Sequence, residues 1–384
     1  MRFIRVLAAL AVSSAAGSSV APRDPNKLFT LELAPGQTVT VTEEEKWEMM
    51  DRRVHFFDVT EWPGVEAASP AAAAAAAAPP DSRPLAALPF PTAMNQTPRV
   101  DALVAGLSGE NMRADLERYS SFHNRYYLSR TGVESAEWLR GRVGAVLDAA
   151  GHPTASARLV RHAAWAQPSI VVTIPGRDQR TVVVGAHLDS VVSGDRGAGR
   201  APGADDNGSG SVMILEVLRV LLSDERVASG DLLNTVEFHW YAAEEAGLLG
   251  SQDIFAQYRA LDRRVVSMLN QDMVGYVGRD GVERFGVVTD WTDPDQVAFM
   301  KRVIDAYTDI PYEETVCGYA CSDHASANRN GFPSAFVFET PFGNHNPHIH
   351  TPNDTMEHVS FDHALQHAKM TTGYVYELAY WHFA

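Results

Sequence analysis

Thr181-Val182-Val183-Val184-Gly185-Ala186-His187-Leu188-Asp189-Ser190 reads as a buried strand that delivers a histidine and an aspartate at its end. Four β-branched residues in a row lack the alternation of a half-exposed strand, so both faces should be covered. The run stops at Gly185, and His187 and Asp189 emerge beyond it. Loops past strand ends are where open α/β sheets build their sites.

Four more acidic or histidine motifs sit in comparable places. Asp205-Asp206-Asn207 precedes an amphipathic helical run, Gly208 to Leu222. Thr235 to Ala243 is an apolar strand ending at Glu244-Glu245, and Val265 to Leu269 leads to Gln271-Asp272-Met273. His348-Ile349-His350 lies in the loop Asn344 to Pro352. Each motif alone has a bland explanation. A His-x-Asp pair is common on surfaces, Asp and Asn are ordinary helix caps, and two glutamates fit a solvated turn. His324, His345, His348, His358, His363 and His367 compete with His350, and spacing does not choose among them. Together the motifs offer imidazole and carboxylate donors suited to two zinc ions sharing one carboxylate. Adjacent aspartates such as Asp205 and Asp206 are costly unless a cation or a helix N-terminus offsets them. Asp189 is placed to hold the second nitrogen of His187. Of Glu244 and Glu245, one can ligate a metal while the other takes a proton from water.

The remaining pattern alternates. Val100 to Ser121, Ser135 to Ala150, Asp295 to Tyr307 and Phe361 to Trp381 read as helices, and Ser169 to Ile174 and Ala335 to Phe338 as strands. This predicts an α/β fold: a mostly parallel, mixed β-sheet covered by helices on both faces.

The 384 residues carry a formal net charge of -16, which argues against a nucleic-acid partner. Met1 to Ala21 has a basic start, a short apolar core and small residues, the pattern of a secretory signal too short to span a bilayer. No later run reaches membrane-spanning length, so a secreted, extracellular protein without a membrane anchor is expected. The two cysteines, Cys317 and Cys321, favour a disulfide in that setting. Ala71 to Ala78, followed by Pro79-Pro80, reads as a linker. Before it come a strand-like stretch, Leu28 to Val41, and a capping-box candidate at Thr42-Glu43-Glu44-Glu45. The expected division is 1-21 signal peptide, a segment 22-87 with the Ala/Pro-rich linker at its end, and a main domain 88-384. Of three glycosylation sequons, Asn95 is the expected acceptor; Asn207 adjoins a candidate ligand, and Asn353 is the third.

With these residues in place, the chain resembles the secreted leucine aminopeptidases of fungi, co-catalytic dizinc exopeptidases of peptidase family M28. The segments that carry the likeness are Gly185 to Ser190, Pro202 to Gly210, Tyr241 to Leu248, Asp272-Met273, Cys317 to His324 and Ile349-His350-Thr351. Val41 to Lys46 and Phe56 to Thr60 are similar to the family's pro-region. The resemblance implies a zinc exopeptidase fold of the phosphorylase/hydrolase-like type and two zinc ions per chain. His187 and Asp272 would hold one ion, Glu245 and His350 the other, and Asp206 would bridge them. Glu244 would be the general base, Asp189 would orient His187, and Tyr319 would help stabilise the tetrahedral intermediate. Met273, Val288, Phe336, Phe338, Phe342 and Ile349 would line a hydrophobic S1 pocket. His345 stands where relatives often carry an aromatic residue. The implied activity is removal of an N-terminal leucine or other hydrophobic residue from peptides with a free N-terminus, by a monomer whose propeptide acts as inhibitor or chaperone.

Two other readings remain open at this level. A secreted carboxypeptidase, or a glutaminyl-cyclase-like enzyme, could use the same fold; the carboxypeptidase would need a basic residue near S1′, for which Arg329 is the candidate. A non-enzymatic domain on a dead peptidase fold expects missing ligands, yet all five and Glu244 are present.

Overall fold

The computed structural model describes residues 26–34, 36–52, 54–62 and 89–383. The signal reading, the alanine run and the boundary at 87/88 lie outside the described residues.

The N-terminal part forms a small module. Strand β1 (Phe29–Ala34) pairs with β2 (Gln37–Val41) and β3 (Phe57–Asp58), both antiparallel. Leu28 to Val41 is thus a hairpin and not one strand; Gly36, at φ +73°, makes the turn that an L side chain would resist. The capping box starts α1 (Glu43–Asp51): Thr42 accepts from the Glu45 amide, and Glu45 reaches back to the Thr42 amide.

The second part is built on eight strands. They are β4 (Ser156–Val160), β5 (Ser169–Ile174), β6 (Asp178–His187), β7 (Asn234–Tyr241), β8 (Val265–Asn270), β9 (Phe285–Val288), β10 (Tyr312–Thr315) and β11 (Ser334–Phe338). Their order is β10-β9-β11-β8-β6-β7-β5-β4. The centre is parallel: β6 pairs with β7 and β8, and β8 with β11. Antiparallel pairs β11–β9, β7–β5 and β5–β4 lie toward the edges. The sheet is mixed with a parallel core, as the valine run of β6 required.

Helices cover both faces. The run Val100 to Ser121 is two helices, α2 (Thr97–Val104) and α3 (Gly109–Tyr119), split where Ser108 caps the second. Next come α4 (Arg130–Ala150), α5 (Gly210–Leu221), the short α6 (Glu225–Ala228) and α7 (Leu249–Ala260). They are followed by α8 (Pro294–Tyr307), α9 (His324–Arg329) and α10 (Phe361–Ala379). Helix α5 is amphipathic, with Glu216 and Arg219 paired on one side, and is nonetheless almost wholly covered. All its side chains but Arg219 are buried, because it lies between the sheet and α2, α3, α4 and α10. On the opposite face Ile254, Phe255 and Tyr258 of α7 pack on Val171, Val183 and Met268 of the sheet. The carboxyl ends of β6, β7 and β8 therefore open on one side, and the motif residues follow them.

Candidate metal centre

His187 is the last residue of β6. Its Nε2 lies 3.1 Å from Asp206 Oδ1 and 3.1 Å from Asp272 Oδ1. Across the site, His350 Nε2 lies 3.1 Å from Asp206 Oδ2 and 2.9 Å from Glu245 Oε2. Asp206 thus faces two imidazoles, one through each oxygen. A tetrahedral zinc with bonds of 2.0–2.1 Å holds its ligand atoms about 3.3 Å apart. The four imidazole–carboxylate distances, 2.9 to 3.1 Å, come close to that spacing, and the donor atoms of each triad all lie within 4.8 Å of one another, so the donor set fits two such ions.

The local backbone explains how the donors converge. Asp206 sits in an irregular turn, Ala204–Ser209, ahead of α5. Asp354 accepts the amides of Asp205 and Asp206 at 3.1 and 3.0 Å and pins that turn to the loop after His350. Arg125, fully buried, donates to the carbonyls of Leu188 and Gly203 at 3.0 and 2.8 Å, tying the end of β6 to the same turn. Asp205 does not cap α5. Its oxygens accept from the Gly275 amide and Asn346 Nδ2, while Asn207 Oδ1 takes the Gly210 amide. Ala243 and Leu248, within three residues of Glu245, Met273, next to Asp272, and His350 itself have φ between 55° and 62°. Such left-handed backbone costs roughly 1–2 kcal/mol per non-glycine residue and persists where packing over-determines it.

Asp189 Oδ1 lies 3.4 Å from His187 Nδ1, a long contact. Its firmer bonds are from the amides of Glu244 and Glu245, at 3.1 and 3.3 Å. One carboxylate therefore sets the His187 ring and the Glu244-Glu245 turn together. Ser322 Oγ donates to Asp272 Oδ2 at 2.7 Å and accepts from Asn270. Ser322, Asp354 and Arg125 carry no local sequence signal as supports, because their partners are backbone groups and side chains distant in the chain, whereas the cap made by Asn207 is local.

Charge at the site is one-sided. Glu244 and Glu245 are buried. Burial pushes Glu245 up to about 7 against the pull of His350. Burial also drives Glu244 well above the usual range; His187 opposes this, and Asp272, Asp323 and Glu245 add to it. For His187 and His350 burial alone would lower the pKa, but Asp272 beside one and Glu245 beside the other outweigh it and hold both rings well above their ordinary value. Asp206 is lowered: hydrogen bonds from the two imidazoles overcome its burial. Carboxylates crowded out of water are the environment that divalent cations neutralise.

Met273, Val288, Phe336 and Phe338 form one apolar cluster beside this centre, with Phe342, Ile349, Cys317 and Cys321 packed on it. All six residues expected to line a pocket are in it. Cys317 and Cys321 are joined by a disulfide, and Asp290 takes the amides of Cys317 and Gly318 at 3.0 and 2.7 Å. Tyr319, inside that loop, stands edge-on to Phe342 with ring centroids 6.1 Å apart. Its other face is stacked on His55 of the N-terminal module at 4.0 Å.

The competing histidines find ordinary roles. His324 packs on Phe336, His363 pairs with Glu283, His367 with Gln271, and His348 stacks on His358. Arg329 is no free cation near the site. It makes a buried ion pair with Glu32 at 2.9 Å, which removes the basic group a carboxypeptidase would need. Asn95 and Asn353 are exposed, whereas Asn207 is fully buried and bonded through both side-chain ends.

Comparison with known proteins agrees with this geometry. The pattern of Peptidase family M28 matches residues 169–375. Probable leucine aminopeptidase 1 of Trichophyton verrucosum is 48% identical over 388 residues, spanning 99% of this chain and 100% of that one. Leucine aminopeptidase 1 of Arthroderma otae is 48% identical over 386 residues, with the same coverage. Among solved structures, the LapA aminopeptidase of Legionella pneumophila has a TM-score of 0.76 at 30% identity, covering 91% of this chain and 93% of that one. The family pattern, the full-length relatives and the two triads that meet at Asp206 lead to one conclusion: the chain belongs to peptidase family M28.

Proposed function

We propose that this protein is a secreted zinc-dependent aminopeptidase that removes leucine, or another hydrophobic residue, from the N-terminus of peptides. The observation that carries the reading is Asp206 facing both triads, with Glu244 buried beside them. His187 and Asp272 would hold one zinc ion, Glu245 and His350 the other, and Asp206 both. The two ions, when bound, would polarise the scissile carbonyl and make a water acidic enough to attack.

The side chains supply the rest. Glu244 takes the proton as water adds to the carbonyl carbon. Burial raises the Tyr319 phenol, so it keeps its proton and can donate to the developing oxyanion. Glu244 then passes its proton to the leaving nitrogen as the C–N bond breaks. Asp189 keeps His187 and the Glu244 turn in register throughout. The cluster around Phe336 and Phe338 receives the apolar N-terminal side chain, and the acidic surroundings favour a free amine.

Residues 22–87 are read as a pro-region. Phe57 and Val59 pack on Leu248, Ala320 and Ala325, Gln252 holds the Asp58 carbonyl, and Asp51 takes the Gly194 amide at 3.0 Å. With His55 on the Tyr319 ring, the module covers a group the reaction needs. Extracellular location rests on the Met1 to Ala21 pattern and on the disulfide.

Leucyl-p-nitroanilide, its N-acetyl derivative, an N-blocked peptide with a free C-terminus, and a peptide beginning with glutamine test the proposal together. Cleavage of the first alone among the leucyl and blocked substrates is expected. Release of a C-terminal residue, or conversion of the last peptide to its pyroglutamyl form, would replace it with the carboxypeptidase or cyclase reading.

A further inference from the structure

The apolar cluster proposed to receive the N-terminal side chain has one polar neighbour. His345 lies with its ring 5.6 Å from Phe338 and 5.2 Å from Phe342, centroid to centroid. Its Nδ1 accepts the Gly343 amide at 3.1 Å. A ring nitrogen that accepts from an amide carries no proton, so in the neutral ring the hydrogen is on Nε2. Burial, with Arg279 adding to it, holds the ring down to about 4, so it stays neutral at ordinary pH. Nε2–H finds no acceptor among the described residues. The buried members of the cluster, Met273, Val288, Phe336 and Phe338, offer no hydrogen-bonding side chain of comparable strength.

A hydrocarbon side chain in such a pocket leaves the donor unmet, whereas one with an acceptor at its far end satisfies it. We infer that His345 is a specificity-determining residue, whose Nε2–H admits N-terminal side chains with an apolar stem and a terminal acceptor, glutamine above all. Methionine belongs to the same class with a weaker acceptor in its thioether. This rests on the aminopeptidase reading above and adds a second substrate class to leucine.

The experiment compares kcat/KM for glutaminyl-, homoleucyl- and leucyl-p-nitroanilide, with the full chain produced in a secreting host, cut once between Trp62 and Pro89 and assayed at high dilution so that the N-terminal module has left Tyr319. Homoleucine matches glutamine in shape but has no acceptor. Wild-type protein should turn over the glutaminyl substrate within about tenfold of the homoleucyl one, because the amide is bonded. In His345→Phe and His345→Leu the glutamine-to-homoleucine ratio should fall roughly tenfold, and His345→Tyr, which restores a donor, should recover part of it. Mass spectrometry should find free glutamine as the product. A wild-type discrimination against glutamine beyond about a hundredfold overturns the inference, as does a ratio unchanged in either apolar variant; the wild-type arm stands even if a variant fails to fold. No turnover of leucyl substrate by wild-type protein would instead overturn the aminopeptidase reading.

Discussion

The two halves of the metal centre are built differently. His187 is 1% exposed, closes a central strand and is backed by Asp189. Its partner Asp272 is backed by Ser322. His350 is 32% exposed, comes from a loop and holds a left-handed backbone. One half belongs to the sheet, while the other is brought in by the loop that also carries His345 and Ile349. The contrast separates a half fixed within the sheet from a half carried by a more exposed loop.

The largest expected effect is on metal. A strong chelator should abolish activity, and restored zinc should return it. Loss should come in two steps, the Glu245–His350 side first, followed as metal per chain against residual turnover. Simultaneous loss of both ions would erase the contrast between the halves. Next is Glu244→Ala, which should lower kcat by roughly 10²–10⁴-fold with metal content unchanged, whereas Glu245→Ala should lose metal from the open half. If Glu244→Ala released an ion and Glu245→Ala kept both, the two roles would be exchanged.

Asp189→Asn should weaken metal binding in the buried half by roughly 10–100-fold, the usual worth of a carboxylate behind a ligating imidazole. It should also slow turnover at saturating zinc, because the same carboxylate holds the Glu244 and Glu245 amides. An effect on affinity alone would confine Asp189 to His187. The smallest effect on turnover is expected from Arg329→Met. It leaves Glu32 buried without its cation, at a cost of about 3–5 kcal/mol to the docking of the N-terminal module. Faster amide exchange in Phe29–Ala34, with the second part of the chain unchanged, would show it.

The same contrast explains what sequence could reveal. His187, Glu244-Glu245 and Asp272 follow apolar runs, so strand ends located them, and the valines of β6 made the parallel centre legible. His350 was legible only through resemblance, because six other histidines lie in or around its loop and spacing favours none. Edge strands β4 and β10, the four-residue inner strand β9 and helices α7 and α9 carry no such signal. The edge strands are short and partly polar, and α9 has six residues. The supports of the site were hidden for another reason. Asp354 acts on amides 148 and 149 residues away, a relation no local pattern encodes.

The Glu32–Arg329 pair and the His55–Tyr319 stack join two parts of one continuous chain. Their contacts act at an effective concentration set by that continuity, on the order of millimolar for a short tether. A single cut between Trp62 and Pro89 would remove none of these contacts. It would make docking bimolecular, so that dilution into the surroundings, and not any change in the interface, would decide when the Tyr319 ring is uncovered. Release would then depend on how far the cleaved protein is diluted, and a concentrated sample would rest in its covered state longer than a dilute one.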